Sequence, residues 1–163
     1  MSEFVMEEQI FHNWCWAAVG QSVNNYFKPD KPMDQYGVAA LVLGLAPGSC
    51  SGAGAPGCNK GQSLTTVLSK LQRLGGTPIL GALTFPAIKQ TIDGGWPIPV
   101  RIVWDDDPGN AHAVVISGYS LSASGAPLLQ VEDPFFGRSI VDYDVFVSGY
   151  HVSGHWERTY KLV

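Results

Sequence analysis

The hydrophobic pattern changes period at Trp96-Pro97, and that switch restricts the chain to one kind of fold. Before it, apolar residues recur at helical spacing. Leu64, Val67, Leu68, Leu71 and Leu74 form an i, i+3, i+4, i+7 stripe behind Ser63 that stops at Gly75-Gly76. Asp34 is placed to cap a helix running through Leu43 with Gly44 as its stop, and Thr84-Phe-Pro86 opens a shorter helix closed by Gly94-Gly95. The first helix is expected from Trp14 to Tyr26, with Asn13 as N-cap and Pro29 and Pro32 beyond its end. After the switch the pattern is that of strands. Ile98 to Trp104 carries Val100, Ile102 and Trp104 on one face, and Ala111 to Tyr119 is apolar on both faces, as in a central strand. Leu128–Glu132 and Trp156–Leu162 are the remaining expected strands. Helices first and sheet second predict an α+β domain whose first helix packs on an antiparallel sheet.

A chain of 163 residues fits one domain, 1–163, with a substantial core. The Gly- and Pro-rich stretch from Ala46 to Gly61 reads as a loop within that domain, not as a boundary. A net charge of −4, with ten scattered Lys and Arg, gives no electrostatic footprint for nucleic acid. No apolar run is long enough for a membrane span. Neither the cysteines nor the four histidines show zinc-type ligand spacing, so neither a metal nor another cofactor is expected. The N-terminal residues lack the charged and apolar regions of a secretory signal.

Chemistry enters with the run from Gln9 to Ala18, which sets one cysteine, Cys15, between two tryptophans. In the first turn of a helix, free backbone N–H groups and the positive end of the dipole favour a thiolate. The alternative is a small buried core residue. Trp14 and Trp16 read as packing residues. Three cysteines are an odd count. Cys50 and Cys58 bracket a flexible Gly-rich segment able to bring them within bridging distance, which leaves Cys15 single. Two free thiols in a reduced compartment are the other possibility.

A nucleophilic thiol needs a base. His12 is too close in sequence to face Cys15, and His151 and His155 fall in a Gly/Ser-rich segment. His112 opens an apolar strand directly after the acidic turn Asp105–Asn110, so its backbone is fixed while one edge stays accessible. Strands joined by a hairpin pair residues symmetric about the turn, and a turn at Ser122–Gly125 puts the partner of His112 near 133. Asp133 stands there, a carboxylate able to orient the imidazole and stabilise its protonated form. Trp104, at a strand end beside the His112 turn, is a candidate to line the cleft; the acidic turn itself reads as solvated.

As a set these residues resemble the papain-like cysteine peptidases. Gln9 and Cys15 match the family's glutamine–cysteine spacing, Cys15-Trp16 matches its nucleophile dipeptide, and the order Cys, His, Asp is the same. The segments Cys15-Trp-Ala-Ala, Ala111-His112-Ala-Val-Val-Ile-Ser-Gly-Tyr119 and Val131-Glu-Asp133-Pro are similar to the compact bacterial branch, which includes C39-like peptidases and plant-pathogen effector proteases. A weaker echo lies in Trp156–Tyr160. The usual Cys-Gly-Ser-Cys context is absent, Val19 replaces a frequent further cysteine, and no propeptide is recognisable.

The resemblance implies a papain-like fold and hydrolysis of peptide bonds through a thioester on Cys15, with His112 as base and Asp133 orienting it. It gives Gln9 a role that spacing alone does not: an oxyanion donor beside the Cys15 backbone N–H. It also implies a protein or peptide substrate, with an inhibitor or immunity protein and delivery machinery as further partners. The enzyme is then expected to be secreted or delivered outside the producing cytoplasm, as an effector or toxin. An acyltransferase, peptide cyclase or deamidase on the same fold is the alternative activity, and a non-catalytic binding module is a third.

Overall fold

Helices lie on both faces of one antiparallel sheet of six strands. The computed structural model of the chain describes residues 3–163. The elements run α1 (Cys15–Phe27), α2 (Gln35–Val42), a 3-10 segment (Gly52–Cys58), α3 (Leu64–Lys70), β1 (Ile79–Leu80), α4 (Phe85–Asp93), β2 (Ile98–Trp104), β3 (Asp107–Leu121), β4 (Pro127–Asp133), β5 (Gly137–Asp142), α5 (Tyr143–Ser148) and β6 (Gly154–Thr159). The strand order is β1-β6-β2-β3-β4-β5, which makes β3 an interior strand flanked by β2 and β4.

The expected caps of α2, α3 and α4 are present. Asp34, Ser63 and Thr84 each accept a backbone N–H three residues on. Gly44, with φ +68°, ends the α2 segment as expected. Asn13 does not cap α1; Trp14 holds that position without a side-chain bond. Asn13 is drawn aside instead, its backbone N–H donating to Asn59 Oδ1 and its amide to Asn59 O. Helix α3 stops at Lys70, short of the expected Leu74. Gln72 turns to φ +57° and Leu74 pairs with Leu162, so that apolar residue serves a β-bridge, not a helix.

Only Asp105 and Asp106 lie between β2 and β3, because Trp104 already pairs with Asp107. The expected turn is therefore mostly strand. The last strand is Gly154–Thr159 and so ends before Leu162. Strands β1 and β5 and helix α5 lie outside the expected elements. β1 is two residues long, β5 is a largely exposed edge, and α5 is one six-residue segment capped by Asp142. β1 and α5 are too short to show a period, and in β5 the two apolar residues, Ile140 and Val141, are adjacent, which gives no alternation.

One core lies between α1, α2, α3 and the Ala113/Val115 side of β3. Gly20 in α1 permits that close approach: a Cβ there would stand 2.9 Å from Val67 and 3.0 Å from Val38. The second core, on the Val114/Ile116 side, takes Ile88 from α4, Phe146 from α5 and Trp156 from β6. This second helical layer was not foreseen. It follows from β3 being apolar on both faces, since such a strand needs cover on each side.

Candidate active site

Cys15 is the first residue of α1, half-buried, and the only unbridged cysteine. The first intrahelical bond runs from Ala18 N–H to Trp14 O, so the N–H groups of Cys15, Trp16 and Ala17 precede it. Those free donors and the positive end of the helix dipole lie beside Cys15. The tryptophans on either side are buried and fix the helix start. Trp14 Nε1 donates to Cys58 O at 2.8 Å and Trp16 Nε1 to Lys60 O at 2.7 Å. Cys50 and Cys58 form a disulfide with their Cα atoms 5.5 Å apart, so these acceptors belong to, or adjoin, a cross-linked loop.

His112 sits opposite Ile102 near the start of the apolar part of β3. Its Nε2 is 2.8 Å from Asp133 Oδ1, which leaves Nδ1 as the ring nitrogen free to serve the thiol. Asp133 does not face His112 directly. The β3–β4 ladder shifts between Ile116 and Gly118, and its last pair is Val115 with Glu132. Continued by one residue, that register sets Asp133 opposite Val114, one diagonal step from His112.

Burial pulls the His112 pKa down, but the Asp133 carboxylate and the Cys15 side chain outweigh it, and the imidazolium persists to about 9. Burial works against charge on Asp133 too. Its hydrogen bonds with His112, the Phe136 N–H and the Tyr150 hydroxyl nevertheless hold it below the usual carboxylate range. Its Oδ1 accepts from Phe135 N–H at 2.8 Å and Phe136 N–H at 2.9 Å, and its Oδ2 from Tyr150 O–H at 2.7 Å.

Gln9, Cys15, Trp104 and His112 all line one open cleft of about 500 Å³. Trp104 lies nearly parallel to the His112 ring, with centroids 6.0 Å apart, and Phe136 meets that ring edge-on at 6.3 Å. Gln9 reaches the cleft on a pinned strap: its N–H donates to Pro134 O, and the neighbouring residues are held by Gln35. Its amide donates to Phe11 O at 2.9 Å and His12 O at 2.8 Å, while Oε1 is buried without a partner among the described residues. Both Gln9 side-chain donors are thus engaged within the strap. His12 borders the cleft against Phe135, whereas His155 pairs with Asp105 and His151 stacks on Phe136. Tyr150, Phe135 and Phe136 were missed. The two phenylalanines follow Asp133-Pro134 directly, and that adjacency was the available signal; Tyr150 gave none.

No group of three or more potential ligands among the described residues is arranged to hold a metal ion. No described helix is long and apolar enough to cross a membrane.

A helix that begins at a free cysteine and packs on an antiparallel sheet, with a histidine from that sheet on the same cleft, fits the class of papain-like cysteine protease. More narrowly, the chain belongs to the family described as papain-like cysteine protease AvrRpt2, whose model matches residues 3–151. It is accordingly a cysteine endopeptidase acting on protein substrates. No curated protein matches the chain.

Proposed function

We propose that the protein hydrolyses peptide bonds through a Cys15–His112–Asp133 triad and a covalent thioester. The observation that supports this best is the continuous line from the cleft inward: Cys15 beside His112, and His112 bonded to a buried Asp133. His112 takes the Cys15 proton at Nδ1, and the thiolate attacks the substrate carbonyl carbon. The resulting oxyanion meets the Cys15 backbone N–H at the helix start, a class of contact typically worth ~3–4 kcal/mol in the transition state. Gln9 joins it by turning its amide away from Phe11 O or His12 O. The imidazolium then protonates the leaving amine, the C–N bond breaks, and a thioester remains on Cys15. Water, deprotonated by His112, attacks that thioester and restores the thiol. Asp133 holds the ring orientation throughout.

Action outside the producing cytoplasm, as an effector or toxin, goes with this reading and draws support from the disulfide, which suits an oxidising destination. Product masses from a peptide library test the reaction. Two fragments whose masses sum to substrate plus one water are expected. Loss of ammonia alone, or transfer of the acyl fragment to an added amine without hydrolysis, would replace the protease reading with deamidation or acyl transfer.

A further inference from the structure

We propose that Tyr150 is a positioning residue for the reaction, fixing the Asp133 carboxylate in the orientation that serves His112; this rests on the triad reading above. Asp133 has a fully buried side chain, and its two oxygens are served differently. Oδ1 takes His112 and two backbone N–H groups, whereas the hydroxyl of Tyr150 is the one described donor to Oδ2. Without it the carboxylate keeps its backbone contacts but loses the bond that stops it pivoting about Oδ1. Tyr150 is itself buried against Phe146, with ring centroids 5.0 Å apart. Burial and the neighbouring Asp133 push its ionisation up, so the hydroxyl stays a donor.

The backbone around Tyr150 gives independent support. His151 and Val152 both take positive φ, +45° and +77°. That is a costly conformation for a β-branched residue, and Val152 gains no burial from it, being 92% exposed. The turn is held instead by a reciprocal pair, Tyr150 N–H to Gly154 O and Gly154 N–H to Tyr150 O, each 2.8 Å. Gly154 has no space for a side chain: a Cβ would lie 2.6 Å from Tyr150 O and 2.8 Å from the Trp104 ring. Strain kept in place by the surrounding structure, directly beside a residue that reaches the acid of a catalytic pair, points to a role for that residue's placement.

A double-mutant cycle tests this, run at a temperature where every variant retains wild-type circular dichroism. Tyr150→Phe keeps the ring and is expected to lower kcat about tenfold with KM unchanged, less than the ~10²-fold that a 1 Å misplacement can cost. In an Asp133→Ala background the same change is expected to alter kcat by less than about twofold, because the hydroxyl then has nothing to position. In parallel, the proton NMR resonance of the His112–Asp133 hydrogen bond should shift in Tyr150→Phe, a signature that simple loss of packing would not produce. Unchanged kcat in Tyr150→Phe, an equal loss in both backgrounds, or an unmoved resonance would each overturn the proposal. Full activity in Asp133→Ala alone would instead overturn the triad reading on which it rests.

Discussion

Trp14 Nε1 donates to Cys58 O at 2.8 Å, so the residue before Cys15 is tied to a cysteine of the disulfide. Asn13 and Trp16 bind Asn59 and Lys60 in the same loop. Four hydrogen bonds therefore run from the start of α1 to residues 58–60, in a loop otherwise held by the disulfide, its buried cysteines and a short 3-10 segment.

Replacing both cysteines, Cys50→Ser with Cys58→Ser, is accordingly expected to cost ~2–3 kcal/mol of stability, given the short loop closed. Denaturant unfolding measures this. A fall in kcat beyond the loss of folded protein is expected as well, since the same loop anchors both tryptophans around Cys15.

The pH dependence follows from His112, whose pKa is raised from 6.5 to about 9. A raised histidine contributes stability that is complete below 6.5 and lost as pH climbs through 9. The alkaline limb of kcat/KM is expected near that value, since the ion pair needs the imidazolium. Asp133→Ala should move the limb to lower pH. Thermal melts from pH 6 to 10 should show the matching decline for wild type and a flatter profile for the variant.

Trp104 covers one face of the His112 ring, and its removal should be felt in chemistry more than in folding. Trp104→Ala is expected to lower kcat about three- to tenfold, in line with aromatic contacts worth ~0.5–1.5 kcal/mol. Trp104→Phe should recover much of the loss. Steady-state kinetics of the three proteins decides it.

Gly20→Ala probes the helical layer away from the chemistry. The added methyl would press on Val67 and Val38, and overpacking of this kind costs ~1–3 kcal/mol. Thermal unfolding should register the loss while kcat of the folded enzyme stays unchanged.

The proximity of Asp133 to His112 was legible only in part. Ser122 and Ala126 close the turn, but counting outward from Leu121 opposite Pro127 carries His112 to Phe136, so the count reaches the end of the partner strand, where Asp133 is the carboxylate. The ladder shift beside Gly118 was not legible, and it makes the contact diagonal. Cys15 at a helix start was also readable, but Asn13 as its cap was not, because Asn59 competes for Asn13 from a loop distant in sequence. Tyr150 escaped for a related reason. Its placement depends on a turn with positive φ at His151 and Val152; histidine adopts that conformation more readily than most residues, but β-branched Val152 does not, so the pair leaves no clear local trace. An oxyanion role for Gln9 was legible only through the family resemblance, and in the structure its amide donates to Phe11 O and His12 O within the strap.

In the proposed mechanism Cys15 carries the acyl group. Rapid quenching of the enzyme during turnover of a slowly deacylating peptide ester, followed by intact and digested protein mass measurement, tests it directly. One acyl adduct is expected, located on the peptide containing Cys15 and absent from Cys15→Ala, which should cleave nothing. An adduct on another residue, or Cys15→Ala turning over at the wild-type rate, would contradict it.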